Sequence, residues 1–172
     1  MPENKSKKTV LVVDDEEDIR RYLSAALEEA GFNVLNAVDG DEGLKAVKAN
    51  RPDLISLDLV MPKKSGVKFH RELIKNKDWA KIPVIIVTGH ARDDLGRSDL
   101  KELTMSGPEL YLEKPVNPEN YIAAVKKLLG MEVSEIEAKT IEKVKIQNEI
   151  KNLLDNAELS DLEKIKRLLR EK

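Results

Sequence analysis

The sequence contains no cysteine, which excludes disulfides, thiol nucleophiles and thiolate metal sites. Aromatic residues make up only 3% of its 172 positions, so a core has to be assembled from Val, Ile, Leu and Ala. No apolar run approaches the ~20 residues that cross a bilayer, and Met1–Lys8 lacks the apolar stretch of a signal peptide. No membrane contact and a cytoplasmic address are therefore expected. Neither sign of charge dominates. Lys+Arg number 30 against Asp+Glu 32, net −2, and no segment carries the basic excess of a nucleic-acid binder. What is present is 41% hydrophobic and 36% charged residues, enough for one mid-sized domain with an appendage or two very small ones.

Two regimes meet near Gly130. In the first, short aliphatic runs alternate with amphipathic stretches. Val10–Val13 is apolar throughout, as a strand covered on both faces requires. Asp18 to Ala30 then sets Ile19, Tyr22, Leu23, Ala26, Leu27 and Ala30 on one helical stripe, and Gly31 ends it. The pattern continues with strands at Val34-Leu35, Asp53–Leu57, Val84–Val87 and Leu110–Leu112. Helices are expected over Gly43–Asn50, Gly66–Asn76, a stretch after Asp93, and Pro118–Leu129 with its proline in the first turn. Five such units in succession predict an α/β fold, a doubly wound five-stranded parallel sheet. The second regime, residues 131–172, has no Gly, Pro or aromatic residue and reads as a helical extension; residues 1–8 read as a flexible N-terminus.

The chemistry lies where strands end. Asp14 and Asp15 follow Val13, Asp58 follows Leu57, Thr88 follows Val87, and Lys114 comes just after Leu112. In a parallel sheet all of these ends share one edge, where ligands bind. Three carboxylates crowded there repel one another unless a cation joins them, and hard oxygen donors suit Mg²⁺. One carboxylate can then attack an in-line phosphoryl donor, with Lys114 neutralising the charge and Thr88 donating a hydrogen bond. An aspartyl phosphate is the expected product. The run Asp58-Leu-Val-Met-Pro62, with Gly66 beyond it, makes a tight strand-to-helix turn in which Gly is expected to supply φ > 0. Lys114-Pro115 is a bond where a cis peptide can fix side-chain direction.

The set Val-Val-Asp14-Asp15, Leu-Asp58-Leu-Val-Met-Pro, Val-Thr88-Gly and Leu-Glu-Lys114-Pro115 resembles the receiver domain of two-component response regulators. The match covers roughly Thr9 to Leu129, and four short motifs in the right order are a stronger signal than any one alone. The resemblance implies the sheet order 2-1-3-4-5 and a receiver domain over residues 9–130. It makes Asp58 the phosphoacceptor, and it has Asp14, Asp15, Asp58 and the Val60 carbonyl bind Mg²⁺. Thr88 and Lys114 would contact the phosphoryl group, and Tyr111 falls at the aromatic switch position. The implied function is phosphorelay signalling, with a histidine kinase or phosphotransfer protein as donor, and no turnover of a small substrate. Two departures stand out: Gly89 where a small Ala is usual, and an unusually long stretch from Thr88 to Lys114.

Blander and rival readings accompany these. Alone, Asp14-Asp15 would serve equally as helix-opening carboxylates, and Tyr111 as a plain strand aromatic. His70 and His90 read as solvated, though His90 occupies a position that tunes hydrolysis in the family, and Trp79 reads as a cap over the sheet edge. A Mg²⁺-dependent phosphatase with an Asp nucleophile usually carries an acid two places on, where this chain has Val60. A DNA-binding regulator with a minimal output module is the other rival, but residues 131–172 hold nine Lys+Arg against ten Asp+Glu. That tail changes its apolar face midway. Val133, Ile136, Ile141 and Val144 point one way, and Ile146, Ile150, Leu153, Leu154 and Ala157 the other. Ser160 and Glu163 form a capping-box pattern before a last helix over Asp161–Arg170. A hairpin of these two helices, packed on itself and serving a downstream partner or self-association, is the expectation.

Overall fold

Five aliphatic runs supply the strands of one parallel sheet in the order β2-β1-β3-β4-β5: β1 (Thr9–Val13), β2 (Asn33–Ala37), β3 (Leu54–Leu57), β4 (Val84–Thr88) and β5 (Tyr111–Glu113). The computed structural model describes residues 7–62, 65–89, 103 and 110–170. The expectations for His90, for the helix after Asp93 and for residues 1–6 lie outside these. β1 is central, pairing with β2 from Thr9↔Asn33 to Val13↔Ala37 and with β3 from Val10↔Leu54 to Val13↔Leu57.

Alternate residues of each strand feed opposite faces, so the helices cover two separate cores. On one face Val10, Val12, Leu54, Ile85 and Leu112 pack under α1 (Glu17–Glu29) and α4 (Pro118–Leu128). On the other, Leu11, Val13, Ile55 and Leu57 pack under α2 (Gly40–Asn50) and α3 (Gly66–Lys75), with Trp79 against the same cluster from the short 3₁₀ turn Trp79–Lys81. The caps are those the sequence provides: Asp39 accepts from the amides of Asp41 and Glu42, Ser65 from Lys68, and Asn117 from Asn120 beside Pro118. His70 on α3 is buried, not solvated as its charged neighbours in sequence suggested. Helix α3 turns that position inward beside Phe69 and Leu73.

The extension consists of α5 (Glu135–Asp155) and α6 (Leu159–Arg170). α5 opens with a true capping box: Ser134 Oγ accepts from the Glu137 amide at 3.2 Å, and Glu137 Oε2 accepts from the Ser134 amide at 2.7 Å. Its first half lies on α4, with Ile141 and Val144 buried and Lys126 on α4 bonded to Glu137 at 2.7 Å. Its further contacts run to β5. Asn148 donates its side-chain amide to the Tyr111 carbonyl at 3.0 Å, and Lys151 pairs with Glu113. The expected self-packed hairpin is therefore not what forms. α5 buries its inward stripe against the receiver, and α6 has no buried residue. The Ser160–Glu163 capping box is also corrected, because the helix begins at Leu159 and takes Ser160 into its first turn. Ile136 does not share the inward face either, being 78% exposed.

Candidate functional site

At the end of β1 the chain turns directly into α1, and the turn is clamped. The Asp14 amide donates to the Ala37 carbonyl at 3.2 Å. Arg20 Nη1 on α1 reaches back to donate to the carbonyls of Asp14 (2.8 Å) and Asp15 (2.9 Å). The Glu16 amide donates to Asp14 Oδ1 at 2.9 Å, which fixes that carboxylate. One strand over, the Asp58 amide donates to the Val13 carbonyl at 2.9 Å, so the two acidic strand ends are held level. Asp14 and Asp58 are both buried, 1% and 2% exposed.

Beyond Asp58 the turn closes through a Gly66 amide bond to the Leu59 carbonyl at 2.9 Å, and the Val60 amide points at Asp58 Oδ1 at 3.4 Å. A Cβ placed on Gly66 would stand 2.1 Å from the Asp58 carbonyl oxygen. The glycine is thus required by close backbone approach. The expected positive φ is not the reason, since the positive-φ glycines among the described residues are Gly31 and Gly130.

Lys114 completes the constellation. Its amide donates to the Thr88 carbonyl at 3.1 Å, its bond to Pro115 is cis, and its side chain runs back into the acidic cleft. The ammonium lies 2.8 Å from Asp14 Oδ2, 2.8 Å from Glu16 Oε1 and 3.1 Å from Asp58 Oδ2. Burial works against the Lys114 charge, but contacts from Asp14 and Glu16 and the field of Asp58 outweigh it and hold its pKa above the ordinary lysine range. Asp14 shows the opposite balance. Loss of water raises its pKa despite Lys114 and the Glu16 amide, and the Asp58 carboxylate adds to the rise.

The structure brings Asp14, Asp58 and Lys114 together as expected, and sets Thr88, fully buried, at the end of β4 beside them. Asp15 is exposed, with its carbonyl held by Arg20. Among the described residues, the carboxylates whose oxygens lie within 4.8 Å of one another are Asp14, Glu16 and Asp58. Glu16 was the residue missed. It continues the acidic run after β1, and in sequence it reads as one more helix-opening carboxylate. Three converging hard oxygens on one cleft fit a divalent cation such as Mg²⁺.

Tyr111 is buried with Leu59, Val67, Ile86 and Leu103. Burial first, then the carboxylates of Glu113 and Asp155, push its phenol up to about 12. Asp155 is the last residue of α5, so the extension reaches this aromatic at two levels, through Asn148 and through Asp155. No helix of the described residues is long and apolar enough to cross a membrane.

Comparison with known proteins places residues 10–126 in the response regulator receiver domain family. The chain is 37% identical over 122 residues to the alkaline phosphatase synthesis transcriptional regulatory protein PhoP of Bacillus subtilis, covering 71% of this chain and 48% of that protein. It is 33% identical over 121 residues to PilH of Pseudomonas aeruginosa, covering 70% of this chain and 97% of that protein. A CheY-like receiver structure from Methanospirillum hungatei superposes with a TM-score of 0.63 at 28% identity, covering 73% of this chain and 95% of that one. The chain spans about half the length of the transcriptional regulators it matches.

Proposed function

The chain belongs to the response regulator receiver domain family, and from that premise we propose that Asp58 accepts a phosphoryl group from a histidine kinase or phosphotransfer protein. The observation that carries this is the Lys114 ammonium 3.1 Å from the buried Asp58 carboxylate, at a strand edge shared with Asp14 and Thr88. An Asp58 oxygen attacks the phosphorus of a phosphohistidine or acyl phosphate. The P–N or P–O bond to the donor breaks in line, and the donor leaves with the electron pair. The new acyl phosphate carries charge on three oxygens, and Lys114 exchanges its bond to Asp58 Oδ2 for one to the phosphoryl group. The Thr88 hydroxyl donates to the same group. Asp14, Asp15, Asp58 and the Val60 carbonyl would hold Mg²⁺, with Glu16 on the rim. When bound, the ion supplies positive charge that offsets both the clustered carboxylates and the incoming phosphoryl oxygens.

In this reading the chain has no small-molecule turnover beyond its own phosphorylation and dephosphorylation. Val60 is apolar where an aspartate-nucleophile phosphatase needs a general acid, which weighs against that rival. DNA binding is a property of longer relatives such as the RpaA regulator of Synechocystis, and residues 131–172 lack the basic excess that would extend it to this chain.

Incubation with Mg²⁺ and a small acyl-phosphate donor is expected to give a base-labile label on the protein, absent in Asp58→Asn. Label retained in Asp58→Asn would end the assignment. Beryllofluoride, a phosphoryl mimic, is expected to bind only with Mg²⁺ present.

A further inference from the structure

A groove of about 590 Å³ lies where α1, α4 and the start of α5 meet. Ala26, Ile122, Ala123 and the exposed Ile136 form its apolar floor and wall. Among the described residues its charged lining is all acidic: Glu29, Glu119 and Glu137. Glu137 is already paired with Lys126, which leaves Glu29 and Glu119 as the acidic rim.

The same molecule carries a segment of complementary character. α6 has no buried residue, yet Leu162, Ile165 and Leu169 fall on one face, and Leu168 and Leu169 are 66% and 73% exposed. It carries Lys164, Lys166, Arg167 and Arg170 against Asp161 and Glu163, net +2. At 3.6 residues per turn Lys166 and Arg170 flank the apolar face on one side. An amphipathic basic helix and an apolar groove with an acidic rim match as a helix-in-groove pair.

Chain geometry decides which copy of α6 can enter. The groove contacts α5 only at Ile136, Glu137 and Thr140, and α5 runs on to Asp155, about 22 Å beyond Thr140 at 1.5 Å per residue. If α6 folded back antiparallel about the three-residue connection, Leu169 would lie level with Lys145, still about 7 Å short of Thr140. The groove is out of reach of its own α6. We propose that α6 docks in the α1–α4–α5 groove of a second copy of this chain, so that two copies exchange C-terminal helices about a two-fold axis. Lys166 and Arg170 of one copy face Glu29 and Glu119 of the other. Such an exchange is self-complementary, so it closes at two copies instead of growing into a filament.

The test is sedimentation equilibrium on the full chain. The wild type is expected to be a dimer, and Leu169→Glu and Ile136→Glu, both at exposed positions, are each expected to weaken dimerisation at least tenfold. Mixing the two variants is expected to restore association in part, because one intact groove then meets one intact helix. Lys166→Glu/Arg170→Glu is expected to weaken the dimer and to be rescued by Glu29→Lys/Glu119→Lys. A wild type that stays monomeric at its highest soluble concentration overturns the proposal. So does a dimer broken by Leu169→Glu but indifferent to Ile136→Glu, which would place α6 against α6 or against the outer face of α5. Failure of the charge exchange to rescue overturns the assigned register.

Discussion

At Lys114 two opposing effects meet. Burial strips water from the ammonium, while Asp14, Glu16 and Asp58 surround it at 2.8–3.1 Å and more than compensate. Without that cation, two almost fully buried carboxylates would face each other across the cleft. Lys114→Met is therefore expected to lower stability in Mg²⁺-free buffer by about 3 kcal/mol, as removal of one partner of a buried pair does, and Mg²⁺ is expected to restore part of it. Urea denaturation with and without the ion measures both. Gly66 makes a sharper demand. A methyl group there meets the Asp58 carbonyl oxygen at 2.1 Å, so Gly66→Ala has to displace the turn that carries the phosphoacceptor. A loss of about 2–3 kcal/mol and a strongly reduced rate of labelling are expected, and a variant that labels at the wild-type rate would show the turn to be more compliant than its geometry indicates. Asp14, Asp58 and Lys114 were legible in the sequence because each follows an aliphatic run, which fixes its place on the sheet edge. Glu16 and His70 were not. The first looks like one acid among several, and the second takes its environment from a helix phase that surrounding charges obscure.

Among the elements, α5 depends on its first turn more than on its length. The Ser134–Glu137 box and the Lys126–Glu137 bond join the helix start to α4, and together they push the Glu137 carboxyl down to about 2, with Lys126 the larger influence. A folded pKa below the ordinary 4.5 gives stability that is present above 4.5 and lost as pH falls towards about 2. Amide protection at Ile141 and Val144, taken relative to the intrinsic exchange rate at each pH, is accordingly expected to fall over that interval, and Glu137→Gln is expected to flatten the acid dependence. Ile141 is the anchor of the docked face at 1% exposed, so Ile141→Ala is expected to cost about 2–4 kcal/mol in thermal or urea melts, and a cost below about 1 kcal/mol would mean the helix does not hold this position in solution. The strands and caps of the receiver were readable from alternation and from Asp, Ser and Asn before helical runs. Ser134-x-x-Glu137 and Ser160-x-x-Glu163 carry the same capping pattern, and only the backbone distinguishes the two.

For the molecule as a whole, the strands and the two covered faces follow from local runs and the sheet order from the family resemblance, whereas the docking of α5 follows from neither. Its apolar residues are too few and too divided between faces for the sequence to say which partner they choose. That choice makes the extension part of the receiver's own core, with Val144 in the same cluster as Leu112, Tyr121 and Val125. A chain ending at Gly130 is expected to melt at a lower temperature than the full chain and to lose helical circular dichroism. An unchanged melting temperature would show that α5 contributes no packing. The bonds from Asn148 to the Tyr111 carbonyl and from Lys151 to Glu113 have a further meaning once α5 is regarded as a ligand on a leash. Only Met131, Glu132 and Val133 separate Gly130 from the Ser134 cap, so the helix is held at an effective concentration on the order of millimolar over the β5 edge. Any protein that seeks this edge competes with it and sees its affinity reduced by the factor 1 + K, where K is the docking constant of α5. Reciprocity then requires that such a partner, by holding α5 away, lowers the docking constant of the helix by the factor 1 + [P]/Kd, where [P] is the free partner concentration and Kd its intrinsic dissociation constant. The exchange rate at Val144 would report a binding event on β5 even from a partner that never touches that residue.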